Sequence, residues 1–399
     1  MKEKNKTKIL AGALLLFCFL VISGCGAAKD KTVHDRTPAD NPEAPEETEE
    51  LEELVIDEDD PGIPGNDLQA NEYNGDHYQR EDEEAAPEAP GVTKLVFTGD
   101  VEISTSVQAK YDADGVNGVV SERLFQILYD ADSTMINHEF CFSLRGEKNP
   151  EKQFTFRVDP SYVTLLTDMG VDIVGLANNH VLDYGKTALL DTFTTLDDAG
   201  IEYTGAGNSL EEASKLIVKS CPDGRTVGFL AASHVIPSVD WNVTNSQPGE
   251  FCFYDETDLL QSIEKAKQEV DLLFVMVHWG VERTTQLTDY QVNDAHRFID
   301  AGADAVIGMH SHCLQPIEIY QGKPVFYSLG NFIFNKNIGS GGGGCVEVTI
   351  QDNMAPRYRV IPTSASNALT DIDEAGFRYL EQISDGILVD PDGFIEEKP

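Results

Sequence analysis

From residue 94 onward the apolar residues fall into two kinds of run that alternate along the chain. Short continuous apolar stretches, bounded by turn residues, predict buried strands at 94–98, 133–136, 171–177, 201–207, 272–277 and 303–309. Four of these are fed by amphipathic stretches that predict helices, at 160–170, 189–200, around 259–270 and at 290–302. Gly170, Gly200 and Gly302 stand where three of the helices should stop, as C-terminal cap glycines do. Segments 226–232, 323–328 and 345–350 read as further strands. The alternation predicts an α/β domain with buried sheets, and the number of strands suits two sheets packed face to face with helices outside.

The polar residues sit where the strands end. The expected strands run into Gly99-Asp100-Val101-Glu102, Asn137-His138-Glu139, Asn178-Asn179-His180, His278-Trp279-Gly280 and His310-Ser311-His312. In open α/β sheets the carboxyl ends of the strands form the edge where ligands bind. Taken one at a time, each motif has an ordinary reading: a turn with solvated acids, polar decoration of a sheet edge, an Asn capping a helix, a core histidine with its bonds satisfied. His310 and His312 alternate on an extended segment, so their rings share one face. Taken together, imidazoles and carboxylates on one edge describe a metal site. Mixed N and O donors suit Mn, Fe or Zn better than Ca or Mg. A carboxylate can bridge two such ions roughly 3.5–4 Å apart, a spacing suited to hydrolysis.

The flanks change the setting of this domain. Residues 1–25 pair a basic start (MKEKNKTK) with an apolar run from Ile9 to Ile22, then Ser23-Gly24-Cys25. That is the layout of a secretory signal, and the run is short for a membrane span of ~20 residues. Residues 26–92 cannot build a core; within them, residues 29–90 carry 22 acids against 4 bases, which predicts a disordered, extended acidic linker. The globular domain is placed at 93–365, and 366–399 is a C-terminal extension that packs on the domain or is partly disordered. Residues 91–399 carry 46 acids against 21 bases, so the basic footprint of a nucleic-acid-binding protein is absent. Cys141, Cys221, Cys252, Cys313 and Cys345 contain no CxxC pair, and their disulfide pairing stays open.

GDVE, INHEF, ANNHVLDYG, VHWGVE, GADAVIGMHSHCLQP and VFYSLGNFIF occur here in the order of the CapA family of poly-γ-glutamate capsule proteins, which the chain resembles over residues 94–334. The resemblance implies a calcineurin-like metallophosphatase fold, a four-layer α-β-β-α double sandwich, and a site holding two divalent transition-metal ions. Matched residue by residue, it implies Asp100 as a ligand of the first ion, with Glu102 as a further candidate and Glu139 as the bridging acid. Asn179, His278 and His310 would hold the second ion and His312 the first. His180 would stay off the metals as an acid, oriented by Asp183. His138, Asn178 and Asn331 would support these residues. Two positions depart from the family pattern: His138 stands where a hydrophobic residue is usual, and Ser311 where proline is usual. Ile22-Ser23-Gly24-Cys25 resembles a lipobox, which implies lipidation at Cys25 and an extracytoplasmic, membrane-tethered protein. The expected function is a metal-dependent hydrolase or transferase of poly-γ-glutamate or a related anionic surface polymer, working beside membrane synthase subunits. Two alternatives remain open from the residues: a non-catalytic accessory subunit of a membrane polymer synthase, and a lipoprotein metallophosphoesterase without a polymer role.

Overall fold

The computed structural model describes residues 91–337, 342–351 and 354–398. The expected signal segment, Cys25 and the linker up to residue 90 lie outside the described residues. In chain order the sheet strands are β1 (Val92–Val101), β2 (Ser133–His138), β3 (Ile173–Gly175), β4 (Glu202–Thr204), β5 (Ile217–Ser220), β6 (Thr226–Ser233) and β7 (Leu272–His278). They continue as β8 (Ala305–Met309), β9 (Ile317–Tyr320), β10 (Lys323–Phe326), β11 (Asn331–Ile333), β12 (Gly343–Gln351), β13 (Arg357–Ser366) and β14 (Leu369–Ile372). An eight-stranded sheet has the order β14-β13-β12-β1-β2-β3-β4, with β11 beside β1; a six-stranded sheet has the order β9-β10-β8-β7-β6-β5. The helices that matter here are α1 (Thr105–Asp114), α2 (Glu122–Tyr129), α3 (Val163–Asp168), α4 (Gly185–Ala199), α5 (Thr257–Lys267), α6 (Asp289–Ala301) and α7 (Glu374–Ile383).

Three apolar clusters define four layers. Leu95, Phe97 and Met135 of the larger sheet meet Phe229, Phe274, Met276 and Ile307 of the smaller one, forming the core between the sheets. On the outer face of the larger sheet, Val96, Ile136 and Val174 pack against Leu124, Leu165, Leu189 and Leu196 of the helices α2, α3 and α4. Beyond the smaller sheet, Leu273, Val275 and Val306 pack against Leu259 and Ile263 of α5 and Phe298 of α6. The result is a helix–sheet–sheet–helix sandwich. Because β1, β2, β7 and β8 are covered on both faces, they read as the continuous apolar runs seen in the sequence. Phe97, Phe229 and Phe274 join the sheets directly, with ring centroids 5.0 to 6.2 Å apart. Such pairs contribute roughly 0.5–1.5 kcal/mol each beyond their buried area. They hold the two strand-end edges in one position relative to each other.

Several boundaries differ from the sequence expectation. The helix expected over 160–170 opens as a 3-10 turn, Pro160–Tyr162, capped by the Asp159 side chain, and becomes α-helical only from Val163. The strand expected over 201–207 breaks at Gly205, whose φ of +91° ends β4. Ala206–Gly207 then pairs with Gly249–Glu250 in a separate two-stranded ribbon. The C-terminal segment joins the core: β14 extends the larger sheet, and Leu380, Ile387 and Val389 enter the apolar layer between the sheets. The cysteines Cys141, Cys221, Cys252, Cys313 and Cys345 are all free thiols. Among the described residues, no helix is long and apolar enough to cross a membrane.

Candidate metal centre

Strand register builds the site. In the larger sheet Asp100 lies level with Asn137 of β2 and with Asn331 of β11; in the smaller sheet His278 lies level with Met309, directly before His310. The close approach of β1 to the turn before β11 requires glycine at 99, because a Cβ there would stand 2.0 Å from the Gly330 carbonyl oxygen. That approach lets the Asp100 amide donate to the Gly330 carbonyl at 2.8 Å. His310 and His312 both adopt positive φ, 94° and 57°, a region that non-glycine residues seldom occupy. The turn that carries both rings is therefore strained, as is common where a site imposes the geometry.

Two sets of donors converge. Glu139, His278 and His310 form one, and Asp100, Glu139 and His312 the other, with the ligand atoms in each set within 4.8 Å of one another. Glu139 belongs to both. It is fully buried, and neither carboxyl oxygen has a hydrogen-bond partner. A buried unpaired carboxylate is costly, so this residue calls for a cation. The spacings agree. His278 Nε2 lies 2.8 Å from Asn179 Oδ1, 3.0 Å from His310 Nδ1 and 3.6 Å from Glu139 Oε1. His312 Nδ1 lies 3.7 Å from Asp100 Oδ2. Ligands about 2.1 Å from one ion stand about 3.0–3.4 Å apart at octahedral to tetrahedral angles. The donor set therefore fits a divalent metal.

Electrostatics point the same way. Burial raises the Asp100 carboxyl to about 6 against the pull of His312, and it pushes Glu139 well above the ordinary range, with Asp100 adding to the shift. Burial holds His278 well below its usual value and His310 down at about 3, each helped by neighbouring imidazoles. The pocket thus disfavours charge of either sign on its own side chains. A bound divalent cation would reverse that balance for the carboxylates, favouring their charged form, and would reinforce the neutral form of the imidazoles.

A second set of residues surrounds the donors. Asn137, which the sequence placed in a strand-end motif without giving it a role, donates to Asp100 Oδ1 at 2.7 Å and lies 3.3 Å from His278 Nδ1. The N-x-E spacing carried the signal, since residues 137 and 139 of an extended segment share a face. The Asn178 amide donates to Asn137 Oδ1 and to the His138 carbonyl, and its own oxygen accepts from the His180 amide. Asn331 Oδ1 lies 2.8 Å from His312 Nδ1. His180 pairs through Nδ1 with Asp183 Oδ2 at 2.7 Å, and its ring stacks on Phe156. Burial lowers the pKa of His180 while Asp183 opposes the shift. Lys152, unforeseen in the sequence, donates to Asp183 Oδ1 and to the Asn179 carbonyl.

Two expected residues are not brought into either donor set. The Glu102 carboxyl turns to the Ser104 backbone amide, and burial raises it to about 8. The ring of His138 lies against Phe140 and Phe142, with centroids 3.8 and 5.1 Å away, and both of its nitrogens are without partners. Strand alternation explains this: with Asn137 and Glu139 facing the donors, His138 must face the helix-side core.

The profile of the family described as "Bacterial capsule synthesis protein PGA_cap" matches residues 94–336. The "PGA biosynthesis protein CapA" of Bacillus subtilis is 29% identical over 279 residues, covering 69% of this chain and 73% of that protein. A "Probable polyglutamine synthesis accessory protein" of Mycobacterium tuberculosis is 34% identical over 210 residues, covering 51% of this chain and 55% of its own length. Among solved structures, a putative 5'-nucleotidase from Staphylococcus aureus in complex with alpha-ketoglutarate aligns over 73% of this chain and 58% of its own. The TM-score is 0.39 and the identity 16%.

Proposed function

The chain belongs to the bacterial capsule synthesis protein family PGA_cap, and on that premise we propose that it is a two-metal hydrolase or transferase acting on poly-γ-glutamate or a related anionic surface polymer. The observation that carries the reading is Glu139, shared by two donor sets and buried with both oxygens unpartnered. Asp100 and His312 would hold one ion, and His278, His310 and the Asn179 amide the other, with Glu139 between them. Ions so held supply Lewis acidity toward a carbonyl or phosphoryl oxygen.

The chain's own groups then handle position and protons. With Nδ1–H directed at Asp183, Nε2 is the free basic atom: it would take a proton from the attacking water and hand that proton to the leaving group, with Asp183 stabilising the imidazolium formed between the two transfers. Phe156 covers the ring and keeps water from one face. Cys25 is proposed as the lipidated residue that ties the domain to the outer membrane face, near the membrane synthase subunits it serves, with the acidic linker as spacer.

Similarity to a mycobacterial protein described as a probable polyglutamine synthesis accessory protein favours a second reading, an accessory subunit that guides the polymer without cleaving it. One comparison separates the two. In the enzymatic reading His180→Ala keeps its metal but loses about 10²–10⁴-fold in turnover of phosphoester or γ-glutamyl substrates, whereas His310→Ala loses metal and turnover together. Metal analysis and an activity screen on both variants decide it. Normal polymer production in cells by every variant would favour the accessory role, and metal loss in His180→Ala would make that residue a ligand.

A further inference from the structure

Lys152 lies in the segment 144–157, outside every regular strand and helix that carries a donor. Its side chain is only 11% exposed. The ammonium donates to Asp183 Oδ1 and to the Asn179 backbone carbonyl, and stands 3.2 Å from His180 Nδ1. It also sits over the Trp241 ring at 5.3 Å. One cation therefore touches three consecutive functions of the turn 179–183: the peptide that orients the Asn179 amide, the His180 ring, and the acid that holds that ring.

The rest of the segment binds the same turn from both sides. The Asn149 amide donates to the Asp183 carbonyl at 2.8 Å, and the Phe156 amide to Asp183 Oδ2 at 2.7 Å. Gly146 lies so close that a Cβ would stand 2.1 Å from the Tyr184 carbonyl oxygen. Residues 178–184 form neither helix nor strand, so no ladder of hydrogen bonds fixes them. Turn bonds such as Asp183 N–H to the His180 carbonyl and Gly185 N–H to the Leu182 carbonyl shape the segment locally, and contacts from outside set its place. Asp183 accepts from the Phe156 amide and His180 through Oδ2 and from Lys152 through Oδ1, so its carboxylate is fully engaged.

We infer that Lys152 is a positioning residue of the metal centre: by gripping the Asn179 carbonyl and Asp183 together, it aims the Asn179 amide at His278 and fixes the His180 ring. The inference rests on the reading that these residues form a metal site. The plain alternative is that Lys152 only neutralises the buried Asp183, which would make it a matter of stability alone.

A pair of variants of the full-length protein separates the two. Lys152→Met removes the grip and leaves Asp183 without its counter-charge, so it lowers both thermal stability and metal affinity. Lys152→Met/Asp183→Asn removes both charges together and restores much of the melting temperature. If Lys152 positions the turn, Mn²⁺ binding by calorimetry stays roughly 10–100-fold weaker in both variants, the usual effect of removing a group that orients a ligand. In ¹⁵N spectra of metal-free Lys152→Met, where Asp183 still faces the ring, His180 then shifts from the single tautomer of the wild type to a mixture. Wild-type Mn²⁺ affinity in the double variant together with an unchanged His180 tautomer in Lys152→Met would overturn the inference and leave Lys152 a charge-balancing residue. His310→Ala serves as the control for the underlying reading. If it binds Mn²⁺ as the wild type does, there is no metal centre at these residues and the inference fails with it.

Discussion

Replacing Glu139 with glutamine should make the protein more stable than the wild type without metal and less stable than the wild type with it. Without metal, the wild type buries a carboxyl with no partner beside the Asp100 carboxyl. Burial raises the folded-state pKa of Glu139, so its contribution to stability is complete below the unfolded value of ~4.5 and is lost as pH rises toward the folded one. At pH 8 glutamine escapes that loss, and the metal-free variant should melt above the metal-free wild type. With metal at about 100 times its Kd, the wild type gains about 2.7 kcal/mol, which corresponds to roughly 4 °C for a domain of this size. Loss of a ligand shared by both donor sets should weaken binding at least 100-fold. At the same metal concentration the gain then falls to about 0.4 kcal/mol, or about 1 °C. Thermal melts of both proteins with chelator and with Mn²⁺ or Zn²⁺, paired with metal analysis, read the crossing. A Glu139→Gln variant that keeps the full metal-induced rise, or a chelated wild type that melts no lower than the loaded one, would refute the assignment of Glu139 as the shared ligand.

Two further predictions use buried groups away from the donor sets. Burial holds His138 at about 3, so the unfolded chain takes up its proton first and the wild type loses stability as pH falls below ~6.5. His138→Leu suits the Phe140 and Phe142 surroundings and removes that loss; in urea unfolding its stability relative to the wild type should improve by about 2 kcal/mol between pH 7.5 and pH 5, and parallel behaviour at the two pH values would show that His138 is not the group responsible. Glu250 is fully buried, and burial pushes its pKa well above the ordinary range against the opposing pull of Lys152 and the Ser233 side chain. Its stabilising contribution is lost as pH rises above ~4.5, so Glu250→Gln should gain on the wild type in melting temperature from pH 5.5 to pH 8; an unchanged difference would mean that the carboxyl has found a partner in solution.

The one-dimensional pattern carried the layers and the edge. Continuous apolar runs marked β1, β2, β7 and β8, because strands covered on both faces have no polar face to show. Polar residues at the ends of those runs marked the edge, because buried strand interiors exclude them. Asp100, Glu139, His278, His310 and His312 were legible for that reason, and the order of their motifs made the family recognisable. Side-chain direction was less secure. Alternation along β2 places Asn137 and Glu139 on one face and His138 on the other, but which face meets the donors depends on pairing with β1 and β3. The turn of Glu102 toward Ser104 follows from the irregular pairing at the end of β1, which no periodicity encodes. Lys152 carried no local signal, since its partners lie 27–31 residues away and are reached through irregular backbone. The same holds for the C-terminal segment, whose apolar residues are too sparse to announce a role until β14 and Leu380 close the sandwich. Local sequence records what a residue must avoid or tolerate, while contacts between distant segments are set by register and loop path, and those exist only once the sheets have packed.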